Sequence, residues 1–577
     1  MLPPRRAWRR LALIAWVAVA VVGGIGLSFL AGRRTAPEGP RLTFERLTFR
    51  QGVTFSARFG ADGQTVFYGA AWEGRPFRIY QTRPEGGELQ LPIENADLLS
   101  VSRDGQLAVL LLKRFGPNSW WKTGTLAVVP VLGGAPRELA DDVRAADWAP
   151  DGKTMAVVRE GAGMARLEFP LGHVIHERSN GYIFYPRVSP SGERVAFFEG
   201  DVLAGYATSI VDAAGHRTVL SEGWADAWDL SWSPDGREVW FAGTKSCAGE
   251  QTSIYAVDMQ GRRRVLLDAP GTIDIHDVSR DGRALVAQVA SRQSTRMWSR
   301  DDPAGRTLSW LEYSWPADLS PDGRVVLLNA LSRCTAGSQA SLGSYLWSLD
   351  SAAPVRVADS LVDGRLSPDQ RSLLFSEPRR IRVVPVGAGT PRTLDLGFAI
   401  RTALGAQRWL PGGERILVAA DEGAGNVTLR VLAERTGRQL SASAAFVPDA
   451  GALVSNWLTP VSPDGRMVAV KAASGEVLVV PLDGSPPRPV PDSDVNELPV
   501  QWSDDSQSLF VFRPGEIPSR VFRVEVASGR RTLWAEISPP DPNATGIGGL
   551  CLTRDGRTGV YAYAHAQAEL YLVNGLR

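Results

Sequence analysis

Residues 230–241 read LSWSPDGREVWF, two apolar stretches separated by Ser-Pro-Asp-Gly. Pro234 presets φ at the first corner of a turn, Asp235 can hydrogen-bond nearby backbone, and Gly236 takes a positive φ at little cost. Flanked by alternating apolar residues, such a turn predicts a β-hairpin. Near-copies such as WAPDGKTMAV, VSPSGERVAF, LSPDGRVVLL, VSPDGRMVAV and LTRDGRTGVY recur down the chain. Counted at the Asp position, twelve copies fall at Asp62, Asp104, Asp151, Ser191, Asp235, Asp281, Asp322, Asp369, Gly412, Asp464, Asp505 and Asp555.

The copies are 40 to 52 residues apart, the period of a four-stranded propeller blade. Three residues before the reference position the side chain is always apolar, from Phe59 and Val101 to Trp502 and Leu552. Six residues after it the same holds, and four residues after it the only exception is Gly559. Strand side chains alternate with period two, so the +4 and +6 positions share one buried face. Each copy continues into a third strand such as SIYAVDM (253–259), and fourth strands such as HRTVLS (216–221) follow, with no helical period between them. The fold class is therefore all-β, built from four-stranded blades.

Twelve blades exceed the usual four to eight of one propeller, so tandem β-propellers are expected, most simply six blades each. The expected boundaries are 42–304 for the first propeller and 305–577 for the second; a 7+5 division or one large ring stays open. ERLTFR (45–50) and GRTLSW (305–310) read as fourth strands without blades of their own, and AELYLVNGL (568–576) as a third strand without its fourth. Local closure would place Arg46–Phe49 beside the third strand of blade six near Thr295–Arg300, and let 305–310 complete blade twelve. No edge would then stay open to aggregation.

Ahead of the repeats, Leu11–Gly32 runs 22 residues without a charge, enough to cross about 30 Å of hydrocarbon. Arg5, Arg6, Arg9 and Arg10 precede it and only Arg33 and Arg34 follow closely, which keeps residues 1–10 in the cytoplasm and exports the repeats. The apolar run is long for a cleaved signal peptide and no clean A-x-A site follows it. The expectation is a single-pass anchor at 11–32 in the inner (cytoplasmic) membrane, an extended linker at 33–41, and periplasmic or extracytoplasmic propellers.

Net charge is +1 and no basic run interleaved with aromatics appears after the N-terminus, so nucleic-acid binding has no support. The three cysteines, Cys247, Cys334 and Cys551, fit neither a disulfide scaffold nor a zinc motif. Cys247 and Cys334 hold equivalent loop positions in their repeats, which shared ancestry explains. His173 and His176 sit three apart on a strand and face opposite sides, and the turn aspartates lack calcium-loop spacing. No metal and no cofactor is expected. Trp148, Trp232, Trp409 and Trp502 occupy the buried −3 column and read as core.

The W-S-P-D-G-x-x-[ILV]-x-[FVY] pattern resembles the WD40-like repeats of TolB-type propellers and of prolyl-oligopeptidase-type peptidases. FERLTFRQGVTFSARFGADGQTVFYGAAWEG and PRVSPSGERVAFFE look more like the extracytoplasmic propeller region of bacterial membrane serine/threonine kinases. That resemblance implies a sensor attached to a kinase. Yet no Gly-rich loop, HRD or DFG is present, nor the Gly-x-Ser-x-Gly elbow of the peptidases, so neither activity transfers to any residue here. A non-catalytic, membrane-anchored module binding a protein or a small ligand is expected, with a separate kinase among its partners. A propeller-channel hydrolase or lyase, and the sensor half of a split kinase, are the alternatives.

Turns between first and second strands share one face of a propeller; the more variable second-to-third-strand loops share the other. Function is usually carried by such loops on a rigid frame. KRFGPNSWWKTG in blade two presents Trp120 and Trp121 there, the candidate binding residues, although packing against the neighbouring blade explains them as well.

Overall fold

The computed structural model describes residues 42–115, 122–161, 164–179, 181–201, 205–245, 252–309, 313–332, 341–359, 364–401, 407–423, 425–448 and 459–577. Every named element among them is a strand. The expected anchor at 11–32 lies outside the described residues, among which no helix is long and apolar enough to cross a membrane.

At the quoted stretch, strand Asp226–Trp232 pairs antiparallel with Glu238–Thr244 across the predicted turn. Gly236 N–H donates to Ser233 O at 2.9 Å and its φ is 70°. Two side chains tie the turn internally. Ser233 Oγ donates to Asp235 Oδ1 at 2.7 Å, while Ser233 Oγ also accepts Glu238 N–H at 3.0 Å. The same Ser-to-Asp bond recurs at Ser320–Asp322, Ser367–Asp369, Ser462–Asp464 and Ser503–Asp505. These aspartates act as turn formers, and the Oδ1 of each is used within the turn.

Strands two, three and four follow as an antiparallel meander, as in the sheets 52–90, 182–224 and 226–267. Burial grades along the meander: the second strand Glu238–Thr244 is almost wholly buried, whereas Arg217–Trp224 is half exposed. The second strand is buried on both sides because adjacent blades stack on it. Val239 and Phe241, at +4 and +6, pack with Phe184 and Phe198 of blade four. Trp240, between them, packs with Ile275 and Val286 of blade six. The recurrent columns of the sequence are thus the face each blade turns to its predecessor. At the exception, Gly559, a Cβ would lie 2.6 Å from Leu552 Cδ2, so the packing leaves no room for a side chain.

Apolar clusters join blade one to two, two to three, three to four, four to five and five to six. A further cluster returns to blade one, where Tyr68 and Trp72 pack on Leu285 and Leu570. Blades seven to twelve are joined in the same way, and Val326 and Leu328 of blade seven pack on Val560 of blade twelve. Such sequential stacking of four-stranded meanders is a β-propeller architecture.

Closure differs from the local scheme. Thr43–Arg46 pairs with Asn574–Tyr571 at the end of the chain and not with 295–300. The cause lies in two long strands, Ala284–Ser299 and Thr558–Asn574, which pair antiparallel along their whole length from Ala284↔Val573 to Ser299↔Thr558. Blade six therefore consists of Thr272–Val278, the first half of 284–299, the last half of 558–574 and Thr43–Arg46. Blade twelve consists of Ala544–Leu552, the first half of 558–574, the last half of 284–299 and Arg306–Thr307. Arg306–Thr307, within the expected stretch, does supply the outer strand of blade twelve, but each closing blade borrows its third strand from the other half of the chain.

Two copies lack the turn glycine, and there Gln370 and Ser506 adopt φ of 60° and 57°. A side chain in this region costs about 1–2 kcal/mol that glycine avoids. Gln370→Gly and Ser506→Gly should each raise stability by about 1 kcal/mol in urea unfolding, whereas Gly236→Val should lower it. Unchanged or lower midpoints for both glycine variants would contradict this reading of the turn.

Candidate functional site

One residue before the apolar −3 column, the inner strands turn toward the centre of the blades. This −4 column reads Arg58, Ser100, Asp147, Arg187, Ser231 and Asp277 in blades one to six. In blades seven to twelve it reads Asp318, Arg365, Arg408, Pro460, Gln501 and Cys551. The column was visible in the sequence as a position that is polar in ten of twelve copies beside an invariantly apolar one, a signal the search for catalytic motifs does not pick up.

Its first task is to stitch neighbouring blades. Asp147 Oδ2 accepts Val188 N–H at 2.9 Å, Asp277 Oδ2 accepts Phe59 N–H at 2.9 Å, and Asp318 Oδ2 accepts Leu366 N–H at 2.8 Å. In each case the donor is the −3 residue of the next blade. Tryptophans at −3 reach the other way: Trp232, Trp409 and Trp502 donate Nε1–H to the carbonyls of Arg187, Arg365 and Pro460 at 2.9, 3.0 and 2.9 Å. Trp232 and Trp502 are buried as expected, while Trp148 and Trp409 are half-buried. The indole column serves as core and as a hydrogen-bonded clasp.

At the centre of blades one to six the column is filled by compensating charge. Arg187, buried, donates Nη2–H to Asp277 across the centre from blade four to blade six and lies 3.9 Å from Asp147. Arg58 donates Nη1–H to His276 O at 2.8 Å and lies 3.6 Å from Asp229, which is 3.1 Å from His276 Nδ1. Burial alone would raise the Asp229 carboxyl; Arg58 and His276 hold it below the usual range. Burial lowers the Arg58 guanidinium, and Arg187 adds to this. Such a paired, enclosed network is a structural plug whose members are costly to remove singly.

Beside it stands Asp274, on the inner strand of blade six. Burial, then the charges of Asp229 and Asp226, push its carboxyl up to about 8. Its Oδ1 has no hydrogen-bond partner among the described residues.

At the centre of blades seven to twelve a cavity of about 180 Å³ remains, and all six −4 residues line it. Arg365 is held by Nη1–H donation to Ala317 O and Gly364 O at 2.7 and 2.8 Å, and Arg408 by donation to Gln407 O at 2.9 Å. Burial and the neighbouring Asp318 push the Cys551 thiol up to about 12, so it stays protonated at neutral pH.

Trp120 and Trp121 lie outside the described residues, but the roots of their loop do not. Lys113 and Lys122, at its two ends, both pair with buried Asp97, Lys113 at 2.9 Å. Lys122 Nζ also sits 5.2 Å from the Phe55 ring and 5.6 Å from the Phe77 ring. Against its burial, Lys122 and Lys113 hold the Asp97 carboxyl below its usual range. Cation–π contact and a buried ion pair thus clamp both ends of the loop.

Of the histidines, His176 lies 3.1 Å from Glu199, which His176, Ser209 and Arg217 hold at about 2 against its burial. Among the described residues no group of three or more His, Cys, Asp or Glu side chains is arranged to hold a metal ion. Cys247 and Cys334 lie outside the described residues.

No family model matches the chain, and no curated protein does. Among solved structures it is similar to the putative TolB from Agrobacterium tumefaciens, at 19% identity over 48% of this chain and 99% of that one, with a TM-score of 0.35. It is also similar to oligogalacturonate lyase from Vibrio parahaemolyticus, at 11% identity over 62% of this chain and 93% of that one, TM-score 0.29. A third likeness is to the tricorn protease, at 13% identity over 88% of this chain and 56% of that one, TM-score 0.29.

The folded carboxyl of Asp274, at about 8, lies above its unfolded value near 3.9, so the folded state keeps a proton that the unfolded state loses between those pH values. Stability is therefore lost as pH rises from about 4 to about 8. Asp274→Asn removes this dependence: it should raise the unfolding midpoint more at pH 7.5 than at pH 5. An equal effect at both would contradict the assignment.

Proposed function

We propose that the chain is a pair of six-bladed propellers, held to the cytoplasmic membrane by 11–32 and exposed outside it, that works as a non-catalytic binding or sensor module. The two returning circuits of apolar clusters and the convergence of six −4 residues on one cavity support the division into two rings. In this reading the exchanged strands make the rings one unit, and the 304/305 boundary divides the sequence more cleanly than it divides the fold.

The observation that carries the binding role is the clamped loop of blade two. Turn aspartates on the opposite face each use Oδ1 inside their own turns, as at Asp235, Asp322, Asp369, Asp464 and Asp505. The loop bearing Trp120 and Trp121 instead rises from two lysines fixed on one buried carboxylate. Holding the ends of a loop lowers the entropy its tip loses on binding. Paired tryptophans on a fixed base suit an apolar or aromatic anchor on a protein partner. The kinase-like resemblance of the first propeller makes a separate membrane kinase a natural recipient of the signal.

The test uses the full chain in its native membrane with crosslinking from the exported side. Trp120→Ala with Trp121→Ala should reduce partner capture by about tenfold or more, the loss of two aromatic anchors, without moving the thermal midpoint. Normal capture by the folded double variant, together with loss of capture on substitution around the Ser-Pro-Asp-Gly turns, would place binding on the other face.

A further inference from the structure

We propose that the outer edge of blade six docks on the lipid surface of the membrane, with Phe44 and Phe49 entering the headgroup boundary. The outermost strand of that blade, Thr43–Arg46, pairs on one side with Asn574–Tyr571 and on the other with no strand among the described residues. A strand edge facing water is normally protected by charge or by cover. Outer strands of other blades carry exposed arginines, as at Arg217, Arg263, Arg392 and Arg488. Blade six instead exposes Leu42 at 41%, Phe44 at 51% and, just beyond the strand, Phe49 at 76%. Phe44 and Phe49 are the only exposed phenylalanines among the described residues.

Apolar side chains exposed singly need no explanation, but these form one stripe. Phe44 and Arg46 share a side of the strand, Leu42 precedes them in the same alternation, and Glu45 falls on the other side. The Arg46 guanidinium then lies 5.3 Å from the centre of the Phe49 ring and carries the stripe onward. Its charges are already paired: Arg46 with Glu569 at 3.1 Å, and Arg50 with Glu73 at 3.3 Å and with Glu88 at 3.1 Å. Such a stripe can enter the headgroup layer without stripping water from an unpaired charge, and arginine stems can lie along the apolar surface while their heads stay at the polar level.

What puts lipid there is the length of chain ahead of the strand, and this step rests on the anchor proposed at 11–32. Nine residues, 33–41, separate the anchor from Leu42 and reach at most about 30 Å when extended. Thr43–Arg46 is therefore held close to the bilayer in every orientation of the propellers. A tether makes a weak contact intramolecular, so two rings and a leucine suffice where they would not hold an untethered protein.

The full chain is reconstituted into phosphatidylethanolamine and phosphatidylglycerol vesicles containing a phospholipid with a photoactivatable diazirine high on its acyl chain, and labelled peptides are identified by mass spectrometry. Label on 11–32 and on 42–50, with the other outer strands unlabelled, is the expected result. In Phe44→Ser with Phe49→Ser, label on 42–50 should fall by about tenfold or more at an unchanged thermal midpoint, the loss of burial of two rings, while label on 11–32 persists. Label on 11–32 alone in the unmodified chain would overturn the docking and leave the anchor standing. Label on 42–50 alone would sustain the docking and overturn the anchor, and label on neither would overturn both. Undiminished label on 42–50 in the folded double variant would contradict the role of the two rings. A crosslink between 42–50 of two chains in the same vesicles would put a second copy on the stripe and overturn the lipid assignment.

Discussion

The antiparallel pairing of Ala284–Ser299 with Thr558–Asn574 is the constraint on which the rest of the molecule depends. A blade array has two raw edges, and in water each is an unpaired row of amides and carbonyls. Here both are closed by one continuous ribbon. One half of it gives blade six its two middle strands, and the other half does so for blade twelve. Thr43–Arg46 and Arg306–Thr307 then cover the outer edges. Neither blade six nor blade twelve is complete before Thr558–Asn574 has formed. The ribbon joins residues about half the chain apart in sequence, so folding must leave these contacts to a late step.

Within each propeller, order is kept by a smaller device repeated blade by blade. At three junctions backbone at −3 is gripped by the acid at −4 of the blade before it, and at three others the indole at −3 grips the carbonyl at −4 of the blade before it. Because this clasp sits at the narrow centre, its chemistry decides what the centre becomes. In blades one to six, charges of both signs meet across the middle and fill it. In blades seven to twelve a proline, a glutamine and a cysteine stand in that column, and a cavity remains beside them.

Much of this was legible in the sequence. The Ser-Pro-Asp-Gly turns, the apolar −3, +4 and +6 columns and the all-β class follow from local chemistry, and the structure uses them as read. Strand exchange was less accessible because hairpin logic favours the nearest partner. The signal was nonetheless present: Ala284–Ser299 and Val560–Val573 contain no Gly, Pro, Asn or Asp at which to reverse, unlike EGDVLAGYAT or KRFGPNSWWKTG. A blade without a turn between its second and third strands must send the second strand elsewhere. The central charges were hidden for another reason. Arg58, Arg187, Asp229 and Asp277 are far apart in sequence and acquire a common role only when the inner strands are brought around one axis.

Disulfide trapping across the ribbon tests the exchange most directly. Gln288 faces Glu569 in register. Gln288→Cys with Glu569→Cys, in a chain whose Cys247 and Cys334 are changed to Ser, should form an intramolecular disulfide under mild oxidation and migrate as a crosslinked monomer. Gln288→Cys with Arg296→Cys, the pairing that local closure of blade six would favour, should stay reduced. The reverse result, with 288 bridging to 296 and not to 569, would contradict the account.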